Sequence, residues 1–221
     1  MNASDLLSEV RTYYTARVME HGPTPRGADW NSAESQRNRF EQLLRICDRT
    51  EPFRLGDYGC GYGGLFDYLC QGNWDGFYSG YDISPLMLET ARRRHAGDHR
   101  ARFEDDDSVL AEADYVVASG VFNVKLKTPR PEWEAYVLQT LQRMAKLARR
   151  GFAFNVLTSY SDPERVRPDL YYADPCFMFD YCKRTFSRHV ALLHDYGLYE
   201  FTMLVRLEVP GLTPARPARS G

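Results

Sequence analysis

Residues 55–64 read Leu-Gly-Asp-Tyr-Gly-Cys-Gly-Tyr-Gly-Gly, a strand-like start that breaks into alternating glycines and gives way to a helical pattern from Leu65 onward. Glycines at such a junction admit positive φ and let the backbone approach a ligand closely, with the N–H groups of the following helix facing polar atoms. Gly59, Gly61 and Gly64 satisfy the dinucleotide spacing G-x-G-x-x-G, with Cys60 and Gly63 in the same loop, so the glycines alone leave two cofactor classes open. Asp57 separates them: just before the first glycine, a carboxylate repels a pyrophosphate but favours a ligand bearing an ammonium and a sulfonium. A second acid, Asp82, ends the run Phe77 to Tyr81, about where a ribose-binding carboxylate is expected, and its two oxygens suffice for both ribose hydroxyls.

Outward from this stretch, short apolar runs alternate with helical patterns, the mark of βαβ units and a mostly parallel sheet. The expected strands are Phe53 to Asp57, Phe77 to Tyr81, Arg102 to Glu104, Tyr115 to Ala118, Phe152 to Leu157, Arg188 to His194 and Tyr199 to Glu208. The expected helices are Leu65 to Cys70, Pro85 to Arg94, a short turn at Ser108, Glu132 to Arg149 with Gly151 as a C-cap type residue, and a stretch around Cys176 to Phe186. Asp195-Tyr196-Gly197-Leu198 reads as a tight turn that pairs the last two strands as an antiparallel hairpin. The fold class is therefore α/β: a Rossmann-like, doubly wound, seven-stranded sheet, mostly parallel with a C-terminal antiparallel hairpin. Residues 1–50 read as a helical cap, with Leu6, Leu7, Val10, Tyr13 and Tyr14 at helical spacing, a loop from His21 to Trp30, and Asn31 with Glu34 as a capping box for a second helix. Residues 51–209 form the ligand-binding domain, with an aromatic-rich insert at about 160–187, and 210–221 read as a disordered tail.

The stretch Leu55 to Gly63 resembles the first motif of the class I S-adenosylmethionine (SAM)-dependent methyltransferases, and Asp82 resembles their ribose-binding acid. The resemblance spans roughly Arg37 to Glu208 and implies the same terminal hairpin that the residue pattern gives independently. It further implies that SAM is the cofactor, with Ile83 beside Asp82. Asp106 or Asp107 is expected to meet the adenine amino group, and Ser119, Gly120 and the residues through Asn123 to line the methionine end.

Composition narrows the remaining classes. A formal charge of −2 argues against nucleic-acid binding, which needs an excess of Lys and Arg. Hydrophobic residues at 43% and charged residues at 26% fit an ordinary soluble domain. Five cysteines without a C-x-x-C pair suggest neither a disulfide framework nor a zinc site, the histidines show no metal-ligand spacing, and a reducing cytoplasm fits. No signal peptide and no membrane-spanning run is expected, and the composition does not set an oligomeric state.

The aromatic series Tyr160, Tyr171, Tyr172, Phe177, Phe179, Tyr181 and Phe186 reads partly as core. Because a desolvated cation over a ring gains about 2 kcal/mol, Tyr160 is the candidate to face a sulfonium. His194, Asp195 and Tyr196 read as turn residues ahead of a catalytic group. Asn123, Tyr160 and Ser187 resemble the polar set of a smaller group in the superfamily, the enzymes that cyclise SAM to azetidine-2-carboxylate and methylthioadenosine. With no acceptor base evident, the expected reaction is that cyclisation, within specialised metabolism, and the alternative is methyl transfer to a small-molecule acceptor. A nicotinamide oxidoreductase uses the same glycines but leaves Asp57 unexplained, and a non-catalytic SAM-fold partner protein binds SAM without turnover.

Overall fold

The computed structural model describes residues 3–207. Seven strands form one sheet: β1 (Arg54–Tyr58), β2 (Phe77–Tyr81), β3 (Ala101–Glu104), β4 (Ala113–Ala118), β5 (Ala148–Leu157), β6 (His189–Leu193) and β7 (Glu200–Arg206). Their order is β3-β2-β1-β4-β5-β7-β6, and only β7 runs antiparallel to its neighbours. The chain winds outward from β1 in one direction and from β4 in the other. The crevice between their carboxyl ends is thus a topological switch point, where open α/β sheets bind ligands. The expected tail at 210–221, and Glu208 at the end of the expected last strand, lie outside the described residues.

The alternation of strand side chains divides the core in two. Tyr115 and Val117 of β4 and Ala153 of β5 face α2 (Ala33–Leu43), α3 (Gly64–Gln71) and α4 (Pro85–Arg94), through Phe40, Leu43, Phe66, Leu69 and Leu88. Val116, Ala118, Phe152 and Phe154 face the other way, onto α5 (Arg130–Leu147) and α6 (Pro175–Thr185). On α5, Trp133, Val137, Leu141 and Met144 form a stripe at three- and four-residue spacing, and all four are fully buried. Each such side chain contributes about 1.5–3 kcal/mol by leaving water. The N-terminal helix α1 (Ala3–His21) sends Leu6 and Val10 into the α5 side of the core.

Local chemistry sets the helix ends. Ser84 caps α4 by accepting from Met87 N, with Pro85 in the first turn and Arg92, Arg93 and Arg94 in the last. Asp174 caps α6 by accepting from Cys176 N and Phe177 N. Three expectations need correction. The capping box that opens α2 is Ser32 with Ser35, not Asn31 with Glu34. Gly151 does not follow a helix: β5 begins at Ala148, and Gly151 lies within it, where a Cβ would come within 2.7 Å of Val205 O across the sheet. The β6–β7 connection, residues 194–199, is also longer than a tight turn.

Candidate active site

A cavity opens at the switch point. Asp57, Tyr58, Gly59, Cys60, Gly61 and Tyr62 form its floor, Tyr81, Asp82 and Ile83 one wall, and Ser119, Gly120 and Val121 the other. Leu7, Val10 and Tyr14 of α1 roof it together with Trp30, while Gln36 and Phe40 of α2 close one end and Tyr136 of α5 the other.

The floor is held from behind. Gly59 N and Cys60 N both donate to Tyr81 O, at 2.7 and 2.9 Å, so the loop after β1 hangs on the end of β2. Gly59 has φ of +83°, and a Cβ there would collide with Val121 Cγ2. Asp82 Oδ2 accepts from Gly61 N and its Oδ1 from Ser84 N, each at 2.8 Å. Asp82 therefore braces the glycine loop and the start of α4, and each oxygen keeps a further lone pair. Gly63 stays behind the loop rather than in the cavity, packed so closely on His95 that a Cβ would come within 2.8 Å of its Nε2.

Asp57 is 3% exposed. Its Oδ2 accepts from Tyr78 OH at 2.6 Å, while Oδ1 is sealed from solvent and has no partner among the described residues. Burial pushes its carboxyl up to about 7; the Tyr78 hydrogen bond opposes the rise and the nearby Asp82 charge adds to it. Across the cavity, Ser119 Oγ is likewise buried and unpartnered. Unsatisfied buried polar atoms cost on the order of 1–3 kcal/mol each, so two of them on residues that line one cavity mark a place where a ligand could supply the partners. A ligand bearing an ammonium beside a sulfonium fits both: the cation lowers the cost of ionising Asp57, and the amine donates to either oxygen. At the far end Tyr58, Tyr81 and Tyr136 gather, with the first two rings 4.8 Å apart. Desolvation raises the hydroxyls of all three, Tyr136 to about 12, so they remain neutral.

The roof is anchored. Tyr13 OH donates to Asp29 Oδ2 at 2.7 Å and Arg17 pairs with Asp29 Oδ1 at 3.0 Å, tying the loop that carries Trp30 to α1. The Trp30 ring lies on Gly120, whose φ is +72° and where a Cβ would collide with the indole. Arg39 stacks on the same ring, its guanidinium carbon 4.2 Å from the centroid. Its Nε lies 2.9 Å from both carboxylate oxygens of Glu200, which is fully buried. Asn155 joins Glu200 at 3.3 Å and accepts from Gly120 N at 2.7 Å. Helix α2, the terminal hairpin and the turn after β4 are thus one connected unit beside the cavity.

Of the residues expected to bind cofactor, the structure brings Asp57, Gly59, Cys60, Gly61, Asp82, Ile83, Ser119 and Gly120 to this cavity. It does not bring Asp106 or Asp107. Asp106 is exposed and caps the short 3₁₀ turn Asp107–Leu110, and Asp107 is held by Arg143 through contacts of 2.6 and 2.8 Å. The expected catalytic trio does not converge either. Asn123 Oδ1 accepts from Leu157 N and its carbonyl from Tyr171 N, which clamps two loops together. Tyr160 is 69% exposed, with its ring beside His194 and outside the cavity. Ser187 precedes β6 near the level of Gly151, at the opposite edge of the sheet, and accepts from His189 N. Tyr196 bonds Thr202 and accepts from Asn38, a structural placement. The roof and Tyr136 were missed; the stripe Leu7, Val10, Tyr14 was visible as an apolar helix face, but without its destination. Among the described residues there is no cluster suited to hold a metal ion and no helix long and apolar enough to cross a membrane.

Comparison with known proteins agrees with this geometry. Residues 57–151 match the family described as "Methyltransferase domain". A Mycobacterium tuberculosis protein named as a methyltransferase, Rv1506c, is 53% identical over 163 residues, covering 74% of this chain and 98% of that protein. The malonyl-[acyl-carrier protein] O-methyltransferase of Enterobacter lignolyticus is 27% identical over 133 residues, 59% of this chain and 49% of its own. Among solved structures, magnesium protoporphyrin IX methyltransferase from Synechocystis with bound SAH shares the fold with a TM-score of 0.62 at 17% identity, covering 90% of this chain and 98% of that one. Human N-acetylserotonin methyltransferase in complex with SAM does so with a TM-score of 0.60 at 14% identity, covering 93% and 60%.

Proposed function

Since the chain belongs to the class I SAM-dependent methyltransferases, we propose that it transfers the methyl group of SAM to a small-molecule acceptor at the switch-point cavity. The observation that carries this is the pair of buried, unpartnered atoms, Asp57 Oδ1 and Ser119 Oγ, on two residues that line one apolar-roofed cavity beside the glycine loop. When bound, SAM supplies an electrophilic methyl on a good leaving group, so the protein's part is orientation and exclusion of water.

Each group in the cavity then has a task. Asp57, ionised, accepts from the ammonium, and Ser119 Oγ offers a second acceptor. The free lone pairs of Asp82 meet the ribose hydroxyls. Ile83, Tyr58, Tyr81 and Tyr136 surround the adenine end in place of Asp106 and Asp107. Leu7, Val10 and Trp30 keep water from the reacting centre, and their apolar surface favours an acceptor with an apolar body. The attacking nucleophile is an atom of the acceptor, and among the described residues no histidine lines the cavity to act as its base. Cyclisation of SAM on itself drew on Asn123, Tyr160 and Ser187, and with those residues dispersed, methyl transfer is the reading the site supports.

The test is incubation with SAM alone and then with a panel of small hydroxy, carboxy and amino acceptors, with products read by mass spectrometry. SAH forming only when an acceptor is present is expected. Methylthioadenosine with azetidine-2-carboxylate from SAM alone overturns the proposal.

A further inference from the structure

The sheet has two edges, and they differ. β3, at one end, is four residues long, and Arg102 and Glu104 stand exposed on it, charges that discourage a further strand. β6, at the other end, reads His-Val-Ala-Leu-Leu, with no lysine, arginine, acid or proline among its five residues. It pairs with β7 through five consecutive positions without a bulge, so nothing bends this edge away. All five residues are half-buried, whereas in β7 only Arg206 escapes full burial.

Hydrogen bonds at the two ends of β7 fix which way the β6 backbone points. Leu207 N donates to Arg150 O and Thr158 N to Tyr199 O. By alternation, Phe201, Met203 and Val205 bond to β5, while Thr202, Leu204 and Arg206 bond to β6. Those three lie opposite Leu193, Ala191 and His189. The N–H and C=O groups of Val190 and Leu192 therefore face outward, and they find no partner among the described residues.

The side chains carry the core to the same edge. Val190 and Leu192 pack at the rim of the α5–α6 layer, Ala191 and Leu193 at the rim of the other. On α6, the partly buried Phe179 lies about 100° round the helix from Met178, toward Lys183, whose Nζ donates to Arg188 O just before β6. The ends of the strand differ in charge. Arg188 precedes it and Asp195 follows it, both exposed and neither with an oppositely charged partner among the described residues. An antiparallel copy centred on Ala191 sets Val190 opposite Leu192, matches their outward N–H and C=O groups in both directions, and brings each Arg188 to the acidic end of the other strand.

We propose that β6 is a self-association edge, through which two copies of this chain pair His189–Leu193 antiparallel about a two-fold axis and join their sheets into one, with Phe179 beside the join. The proposal is independent of the reaction at the cavity.

Sedimentation velocity of the full chain tests it. Wild-type protein is expected to run at twice the chain mass of 25.5 kDa at about 50 µM and to dissociate on dilution. Leu192→Lys puts an uncompensated charge into the join and should weaken the dimer by roughly 100-fold. Leu192→Pro removes an outward N–H and none that bonds β7, so it should also yield a monomer while far-UV circular dichroism stays native. Ala101→Lys, on the β3 edge, should leave the dimer intact. Hydrogen exchange needs no variant: the Val190 and Leu192 amides should be protected at about 50 µM and exchange at least about 10-fold faster once diluted to monomer. A monomer at about 100 µM, a dimer unmoved by both Leu192 substitutions, or amide protection that dilution does not change, which would give the edge to another segment of the same chain, overturns the proposal.

Discussion

Asp57→Asn removes a charge that burial makes costly and that the proposed cofactor site uses, so it should move stability and binding in opposite directions. Burial raises the Asp57 carboxyl from 3.8 to about 7 in the native state. The native carboxyl therefore keeps its proton up to about pH 7, while the unfolded chain releases it near pH 4. Between those values the native state binds more protons, and the group's contribution to stability falls as pH rises through the window. At about 1.36 kcal/mol per unit, holding the ionised form above pH 7 costs on the order of 4 kcal/mol. Asparagine carries no charge and can still accept from Tyr78. The variant should match the wild type near pH 4 and exceed it at pH 8, with that figure as the upper bound. Its affinity for SAM should fall by about 1.5–3 kcal/mol, the worth of a charge-assisted hydrogen bond. Urea denaturation of ligand-free protein at pH 4 and pH 8, with calorimetry at pH 8, reads both quantities. An Asn variant that is less stable than wild type at pH 8, or that binds SAM as tightly, refutes the reasoning.

Three further outcomes follow from the same contacts. Glu200→Ala strands the Arg39 guanidinium beneath Trp30 and should cost about 3–5 kcal/mol of stability by denaturant unfolding, far more than an exposed ion pair would. Gly59→Ala places a Cβ against Val121 at a φ that costs about 1–2 kcal/mol for other residues, so SAM binding should be lost in calorimetry while far-UV circular dichroism stays native. Tyr160→Phe and Ser187→Ala, both outside the cavity, should leave kcat/KM for methyl transfer within about 2-fold; a loss of 10-fold or more in either would return them to the site.

The strands were legible because sheet positions announce themselves by period and by β-branched or aromatic content: β2 and α4 carry the expected bounds, and the other strands shift by a few residues at their ends. The glycine loop was legible for a different reason, since Asp57 and Asp82 add charge logic to a spacing that two cofactors share. What failed did so where one residue type serves two physical ends. An acidic run reads the same whether it binds a ligand or, as at Asp106 and Asp107, caps a turn and holds Arg143. A glycine after a helix reads as a cap, and Gly151 is instead a place where two strands crowd. Ser187 entered through a resemblance in residue type alone; it precedes β6, and a residue preceding that strand lies at the end of the sheet away from the cavity. The roof escaped because the period of α1 shows that Leu7, Val10 and Tyr14 share a face without saying what the face covers.

A crystal structure with SAH bound tests the central claim most directly. SAH should lie across the carboxyl ends of β1 and β4, its amine within hydrogen-bonding distance of Asp57 Oδ1 or Ser119 Oγ and its ribose on Asp82. SAH bound elsewhere, or in the cavity with its amine turned away from both atoms, would contradict it.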